Sequence, residues 1–372
     1  MQIQQEAFII AHDFARNWNA LTFIAVRPQT FFQSKRAGTL SAYPHRIFTI
    51  SPPRPEAVIE KRLQFALKIC AGEIAPAAYP GLTLKVGNMS LFLKALLDSL
   101  RTNREIKELL ANITGGNIRE AINFVKSFIG STNVDAEKIV EIMARTGRYT
   151  IPLHEFSKAA ILGDYSHFNP ESSLATNLFD VEYPDEKEHF LGALILSFLE
   201  SRYAPKDKDG FTVVAAILQE TAQLGFMSQQ TEGCLRRLTN KKLIETTERV
   251  TFEESAAGLV GDLPFAFRLT TVGVYHLQRW LATFSYLDAM VFDTPIFDEL
   301  VLENILPNLE NFYIGIRLER ARTFRRYLTS VWNKAGIETP YFDWMFVWKR
   351  GEVSFAGVER VVQRHEPIGE ET

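Results

Sequence analysis

Apolar positions along this chain recur mostly every third or fourth residue, and only rarely as short unbroken runs. Residues 4–18 place Ala7, Phe8, Ile10, Ala11, Phe14, Ala15 and Trp18 on one side of a helix. "ALTFIAVRP" is then a short apolar run stopped by proline, the pattern of a fully buried strand. After a polar, glycine-containing loop, "HRIFTISPP" supplies a second short strand. Helix, buried strand, loop and strand predict a piece of an α/β sheet, which two strands cannot complete alone.

From Pro55 the period is helical. "PEAVIEKRLQFALKIC" has proline in its first turn and apolar groups at Val58, Ile59, Leu63, Phe65, Ala66 and Ile69. "SLFLKALLDSL" and "REIKELLANI" follow, then a Gly115-Gly116 break and the helix of "ITGGNIREAINFVKSF". "TNVDAEKIVEIMART" closes the bundle, with its cap expected at Thr132 or Asn133. Residues 145–185 are irregular and rich in Pro, Asn, Ser and Asp, yet Phe168, Leu174, Leu178 and Phe179 recur through them, as in a packed linker.

Beyond the linker, "EHFLGALILSFLESRY", "DGFTVVAAILQETAQLGF" and "MSQQTEGCLRRLTNKKLIETT" predict three helices, the last running into a strand. A loop with Gly258 and Gly261 precedes "FAFRLTTVGVYHLQRWL", a strand and a closing helix. Three helices, a loose-tipped β-hairpin and a closing helix are the layout of a winged helix-turn-helix. The rest is mainly helical, its longest piece at about 308–335 carrying "RLERARTFRRYL" before an aromatic tail, "YFDWMFVWKRG".

The predicted fold is therefore mainly α. It divides into a 1–54 remnant of an α/β core, a 55–150 helical lid, a 151–185 linker, a 186–285 winged-helix domain and a 286–372 C-terminal helical region. A length of 372 residues suits two or three domains, each with its own core. The net charge of −3 gives no whole-protein signal for nucleic acid or an anionic membrane, so any basic surface is local. Cys70 and Cys234 lie far apart, which argues against a disulfide framework or a zinc site and suits a reducing cytosol. No apolar run approaches the roughly 18 residues of a membrane span. "MQIQQEAFIIAHDF" lacks the basic start of a signal peptide, so a cytoplasmic protein without membrane contact is expected.

Chemistry-bearing motifs are sparse. There is no G-x-x-x-x-G-K-[ST], no G-x-G-x-x-G after a strand, no G-x-S-x-G and no metal-spaced histidine pair. The order of parts is more informative. A buried strand with a polar end, a loop with basic residues, another strand, a bundle carrying G-G-x-x-R and a winged helix together resemble the C-terminal half of AAA+ and STAND-type P-loop ATPases. The likeness is closest to the initiator and origin-recognition branch and covers roughly residues 1–285.

That resemblance implies roles. Arg27 falls near the first sensor position, with Gln29 and Thr30 just beyond it. Arg36 or Arg46 corresponds to an arginine finger acting across a subunit interface, and Arg119 to the lid's second sensor. Planar guanidinium groups meet γ-phosphate charge bidentately and couple it to domain movement. The glycine pair would give a sharp entry turn whose amides, with the helix N-terminus, favour an anion. Read without the resemblance, Arg119 is a solvated helix arginine, Arg27 an internal salt-bridge partner, and Arg36 and Arg46 solvated loop residues.

The phosphate loop and acidic Walker B strand of the family should precede the first strand, and they are absent. ATP and Mg would then bind only in a complete assembly, with a P-loop-bearing partner or a missing N-terminal half, and this chain alone would not be an ATPase. Its third winged-helix helix offers Ser228, Gln229, Gln230, Arg236, Arg237, Lys241 and Lys242 to DNA bases and phosphates. The wing, "VTFEESAAGLVGDLPF", is acidic and would repel phosphate, which leaves protein docking open. The arginine-rich helix reads either as a solvated, salt-bridged face or as a nucleic-acid or partner surface. The alternatives to a split ATPase are a non-enzymatic winged-helix DNA-binding regulator and a self-associating scaffold of a defence or signalling complex.

Overall fold

Pro55, whose missing N–H costs nothing in a first turn, opens α2 (Pro55–Cys70), which buries Ile59 and Leu63. Around it gather α3 (Val86–Thr102), α4 (Arg104–Ile113), α5 (Ile118–Gly130), α6 (Ala136–Thr146) and α7 (Leu153–Leu162). The computed structural model describes residues 2–18, 20–25, 46, 48, 53–74, 86–131, 134–246 and 263–365. Over these the protein is mainly helical, with one small three-stranded sheet.

In the bundle, Leu96, Leu100, Ile106, Leu109 and Phe128 are essentially fully buried, each worth about 1.5–3 kcal/mol relative to exposure. Phe128 stacks on Phe156 of α7 at 4.2 Å between centroids. Asn103 caps α4 and Asn117 caps α5, each accepting two first-turn amides. The cap of α6 is Asp135, whose carboxylate accepts the Lys138 amide; Thr132 and Asn133 lie outside the described residues. Helix α7 occupies a stretch expected to be irregular. It is short, begins after Pro152 without a side-chain cap, and owes its helicity to burying Phe156, Ala160, Ile161 and Leu162.

The N-terminal segment departs from its sequence pattern. Helix α1 (Gln2–Asn17) forms, but residues 20–25 make no strand, and Leu21 and Phe23 are 87% and 80% exposed. A buried strand needs neighbours on both edges and a covering layer, and none is supplied by the described residues. Arg46 and Phe48, in the second anticipated strand, are exposed as well. Arg27, Arg36 and the rest of that strand-loop-strand lie outside the described residues.

Residues 163–185 carry no helix, yet Phe168, Ala175, Leu178 and Phe179 are buried. A 3-10 turn (Glu186–Phe190) leads into α8 (Leu191–Glu200), apolar on every side and therefore central. Next come β1 (Thr212–Val213), α9 (Val214–Gln223), α10 (Ser228–Asn240), β2 (Ile244–Thr246), β3 (Ala266–Leu269) and α11 (Thr271–Tyr275), which continues as a π-turn to Trp280. The sheet is antiparallel in the order β1-β3-β2, pairing Thr212 and Thr246 on either side of Phe267. Gly273 lets α11 approach the Leu243 carbonyl, where a Cβ would overlap it.

Helices α12 (Phe284–Met290), α13 (Glu299–Ile305), α14 (Ile314–Ala335) and α15 (Trp344–His365) complete the chain. The expected aromatic tail, residues 341–351, leads into and forms the first two turns of the 22-residue α15. Trp344 is fully buried, edge-on to Phe179 and tilted steeply against Phe190, and its indole N–H donates to Thr329 Oγ1 at 2.9 Å. Nor is the arginine-rich helix a solvated face throughout. Arg320 and Arg325 are each only 3% exposed, the first bound to Asp288, the second to Glu352 and stacked on Trp348 and Phe355.

Candidate functional site

Two places carry the residues singled out by sequence. The first is the glycine turn. Gly115 and Gly116 both have positive φ, 55° and 74°, which ordinary residues resist. Their amides point back into α4: Gly115 donates to Asn112, Gly116 to Ala111, and Asn117 to Thr114. The pair is thus the C-terminal stop of α4, and its amides are not left over for an anion. The first-turn amides of Arg119 and Glu120 are likewise taken by Asn117 Oδ1, at 3.0 and 3.4 Å. What remains for a ligand is the Arg119 side chain itself, exposed and without an ion pair among the described residues.

This turn is also a joint. Gly115 faces Val272 of α11, Arg279 reaches Glu108 at 3.3 Å, and Lys242 lies 3.8 Å from Glu120. Bundle and α10–α11 region are therefore packed directly on one another.

The second place is α10. Thr231, Cys234, Leu235 and Leu238 form its core face. Burial pushes the Cys234 thiol up to about 11, so it stays un-ionised and unreactive. A second face, with Gln230, Gly233 and Arg237, is covered by the acidic segment 180–188. Arg237 sits 3.5 to 3.8 Å from Asp180, Glu182 and the fully buried Glu188. Gln230, 1% exposed, donates to Asp185 and Glu188 and accepts the Met227 amide at the start of α10. Glu188 also accepts the Glu182 and Tyr183 amides, so one carboxylate ties the segment to itself and to α10. Burial raises the Asp180 carboxyl above its ordinary range against the pull of Arg237.

Gln230 and Arg237, expected as nucleic-acid contacts, are thus turned inward. Lys241 is half-buried and donates to the Pro170 carbonyl, while Lys242, at a left-handed φ of 62°, leans toward Glu120. Ser228 and Gln229 are exposed and Arg236 is half-buried. Gln229, Glu232, Arg236 and Asn240, spaced by three or four, make up the outward face, with one charge of each sign. Sequence reasoning missed the acidic segment. Its signal is the dense "FDVEYPDEKEH", which reads as linker because charge density does not reveal which helix it will cover.

The stretch that leads into this segment is gripped by two buried neutral histidines. His276 Nε2 accepts the Thr176 amide at 3.0 Å while its Nδ1–H donates to Val272. His189 donates from Nδ1 to Phe179 at 2.6 Å and accepts the Tyr327 hydroxyl at Nε2. Burial lowers both imidazoles to about 4.

Among the described residues no three His, Cys, Asp or Glu side chains are grouped to hold a metal, and no helix is long and apolar enough to cross a membrane. Comparisons with protein-family models, with curated proteins and with solved structures each find no match for this chain.

Proposed function

We propose that this chain is a non-catalytic regulatory module: a winged helix at 186–285 docks a protein partner, carried by a bundle of the AAA+/STAND lid kind. The order helix, strand, helix, helix and hairpin, with a β1-β3-β2 sheet, supports the winged helix. The observation that favours protein over DNA is the diversion of Arg237 and Gln230 into the acidic segment. DNA affinity grows with the number of phosphates met by cations, and the outward face of α10 sums to no charge. Met227, the cap of α10, and Phe265, just before β3, are 52% and 69% exposed, apolar groups of the kind that anchor protein interfaces.

Fluorescence anisotropy of the full chain with a short duplex DNA at low salt tests this. The expected result is no saturable, salt-sensitive binding. Binding that falls steeply with salt and disappears in Arg236→Ala would overturn it in favour of a DNA-binding regulator. The positive arm is a partner recovered by the wild-type chain and lost from Met227→Asp.

A second reading, the sensing half of a split ATPase, is favoured by Arg119, exposed on a capped helix and without an ion pair among the described residues. ATP and Mg would be held by a P-loop-bearing partner, and Arg119 would meet its phosphates. The isolated chain is then expected to hydrolyse no ATP. Turnover by the chain alone that Arg119→Ala abolishes would sink this version.

A further inference from the structure

Helices α7, α12, α14 and α15 converge on a cleft of about 700 Å³ that shares no residue with α10 or the glycine turn. Such a volume lies within the range of small-ligand pockets. Much of its wall is apolar: Ile161 and Phe292 are buried or half-buried, and Phe312, Val358 and Val361 carry it toward the surface.

Its polar groups are unevenly paired. Asp288, 3% exposed, is gripped through Oδ2 by Arg317 at 2.7 Å and through Oδ1 by Arg320 at 2.8 Å. Arg320 is used up, because its remaining nitrogen donates to the carbonyls of Asn308, Leu309 and Asn311. Arg317 spends only its Nε and Nη2 on Asp288, leaving Nη1 without a partner among the described residues. Lys158, half-buried at the cleft, has no hydrogen bond or ion pair among the described residues. Burial and then the charge of Arg317 hold its ammonium below the ordinary lysine range. The carboxylate on its own helix, Glu155, sits 3.6 Å from His154. Three cationic side chains thus stand against Asp288 and Glu155, with a surplus of positive charge in an apolar cleft. A half-buried cation without a partner costs free energy unless an anion arrives.

We propose that this cleft binds a small amphipathic anion, an oxyanion head on an apolar body. Lys158 and the free edge of Arg317 hold the head, and the valine and phenylalanine walls hold the body. A carboxylate and a phosphate monoester share the required chemistry: charged oxygens for two cationic donors, and a chain or ring for the walls.

Isothermal titration of the full chain with laurate, dodecyl phosphate, dodecanol and inorganic phosphate tests it. Laurate or dodecyl phosphate should bind, the tighter of the two naming the head group. Dodecanol and inorganic phosphate should bind at least about tenfold more weakly, since each lacks one half of the match. Lys158→Met should weaken the anions about tenfold while Tm holds or rises, because an unpaired cation is removed. Val361→Trp, at a 42% exposed position of the wall, should obstruct every amphiphile without unfolding the protein. Dodecanol binding as tightly as laurate, undiminished anion binding in either variant, or no binding of either anion would each overturn the proposal.

Discussion

Helices α10 and α14 both carry arginines that sequence marks as a basic surface, and the fold treats them in opposite ways. On α10, Arg237 is over-neutralised by three carboxylates from one segment of chain, and the outward face is left without net charge. On α14, Arg317 and Arg320 share the single carboxylate of Asp288, and Lys158 is drawn up beside them, so positive charge is in surplus. The lesson is electrostatic. Where a cation acts is decided by the counter-charge that tertiary packing delivers, not by how many arginines a helix contains.

The strongest way to break this comparison is Asp288→Asn. It leaves Arg320 buried with no carboxylate, and a loss of about 3–5 kcal/mol is expected in urea unfolding. A loss under about 1 kcal/mol would mean the cleft's cations do not depend on that pairing.

Acid sharpens the other side. Each buried histidine takes up a proton less readily folded, at about 4, than unfolded, at about 6.5. Stability from both is therefore complete above about 6.5 and falls as pH drops toward 4, by about 1.4 kcal/mol per pH unit for each. Because they hold Thr176 and Phe179, the stretch leading into the acidic segment should loosen first. Hydrogen exchange at the Thr176 amide, compared at neutral and mildly acid pH, reads this directly; unchanged protection would refute it.

Two glycines give a smaller contrast. Gly351 of α15 packs on the Ala282 carbonyl, so Gly351→Ala forces two backbones apart and should cost about 1–3 kcal/mol. Gly233 of α10 faces only the tip of the half-exposed Glu182 side chain, which can swing away. Gly233→Ala should therefore stay near neutral in Tm, the helix-propensity gain of about 1 kcal/mol offsetting the displaced contact. The least effect is expected for Gln229→Ala on the outward face, within about 0.5 kcal/mol.

Local pattern made most of the helices legible. Pro55 marks a start that the structure uses, and the 3.6-residue period of α4 and α5 carries their buried faces. It failed where an element depends on partners distant in sequence. Residues 20–25 have a strand's composition but no sheet among the described residues, whereas α7 lacks strong local signals and is a helix because Phe128 and its neighbours cover it. Of the candidate site, the exposure of Arg119 follows from its place on the amphipathic α5. The inward turn of Arg237 and Gln230 does not, because the carboxylates that capture them arrive from 42 to 57 residues away.

The sequence by itself thus determined a mainly helical protein and where most of its helices begin. Those properties rest on period, caps and glycine stops, all of which act within a few residues. Only the tertiary structure decided that the glycine pair ends a helix with every amide spent, and that one basic helix is shielded while another is left seeking an anion. Charge interactions and desolvation depend on distance in space, and folding sets those distances between residues that the chain keeps far apart.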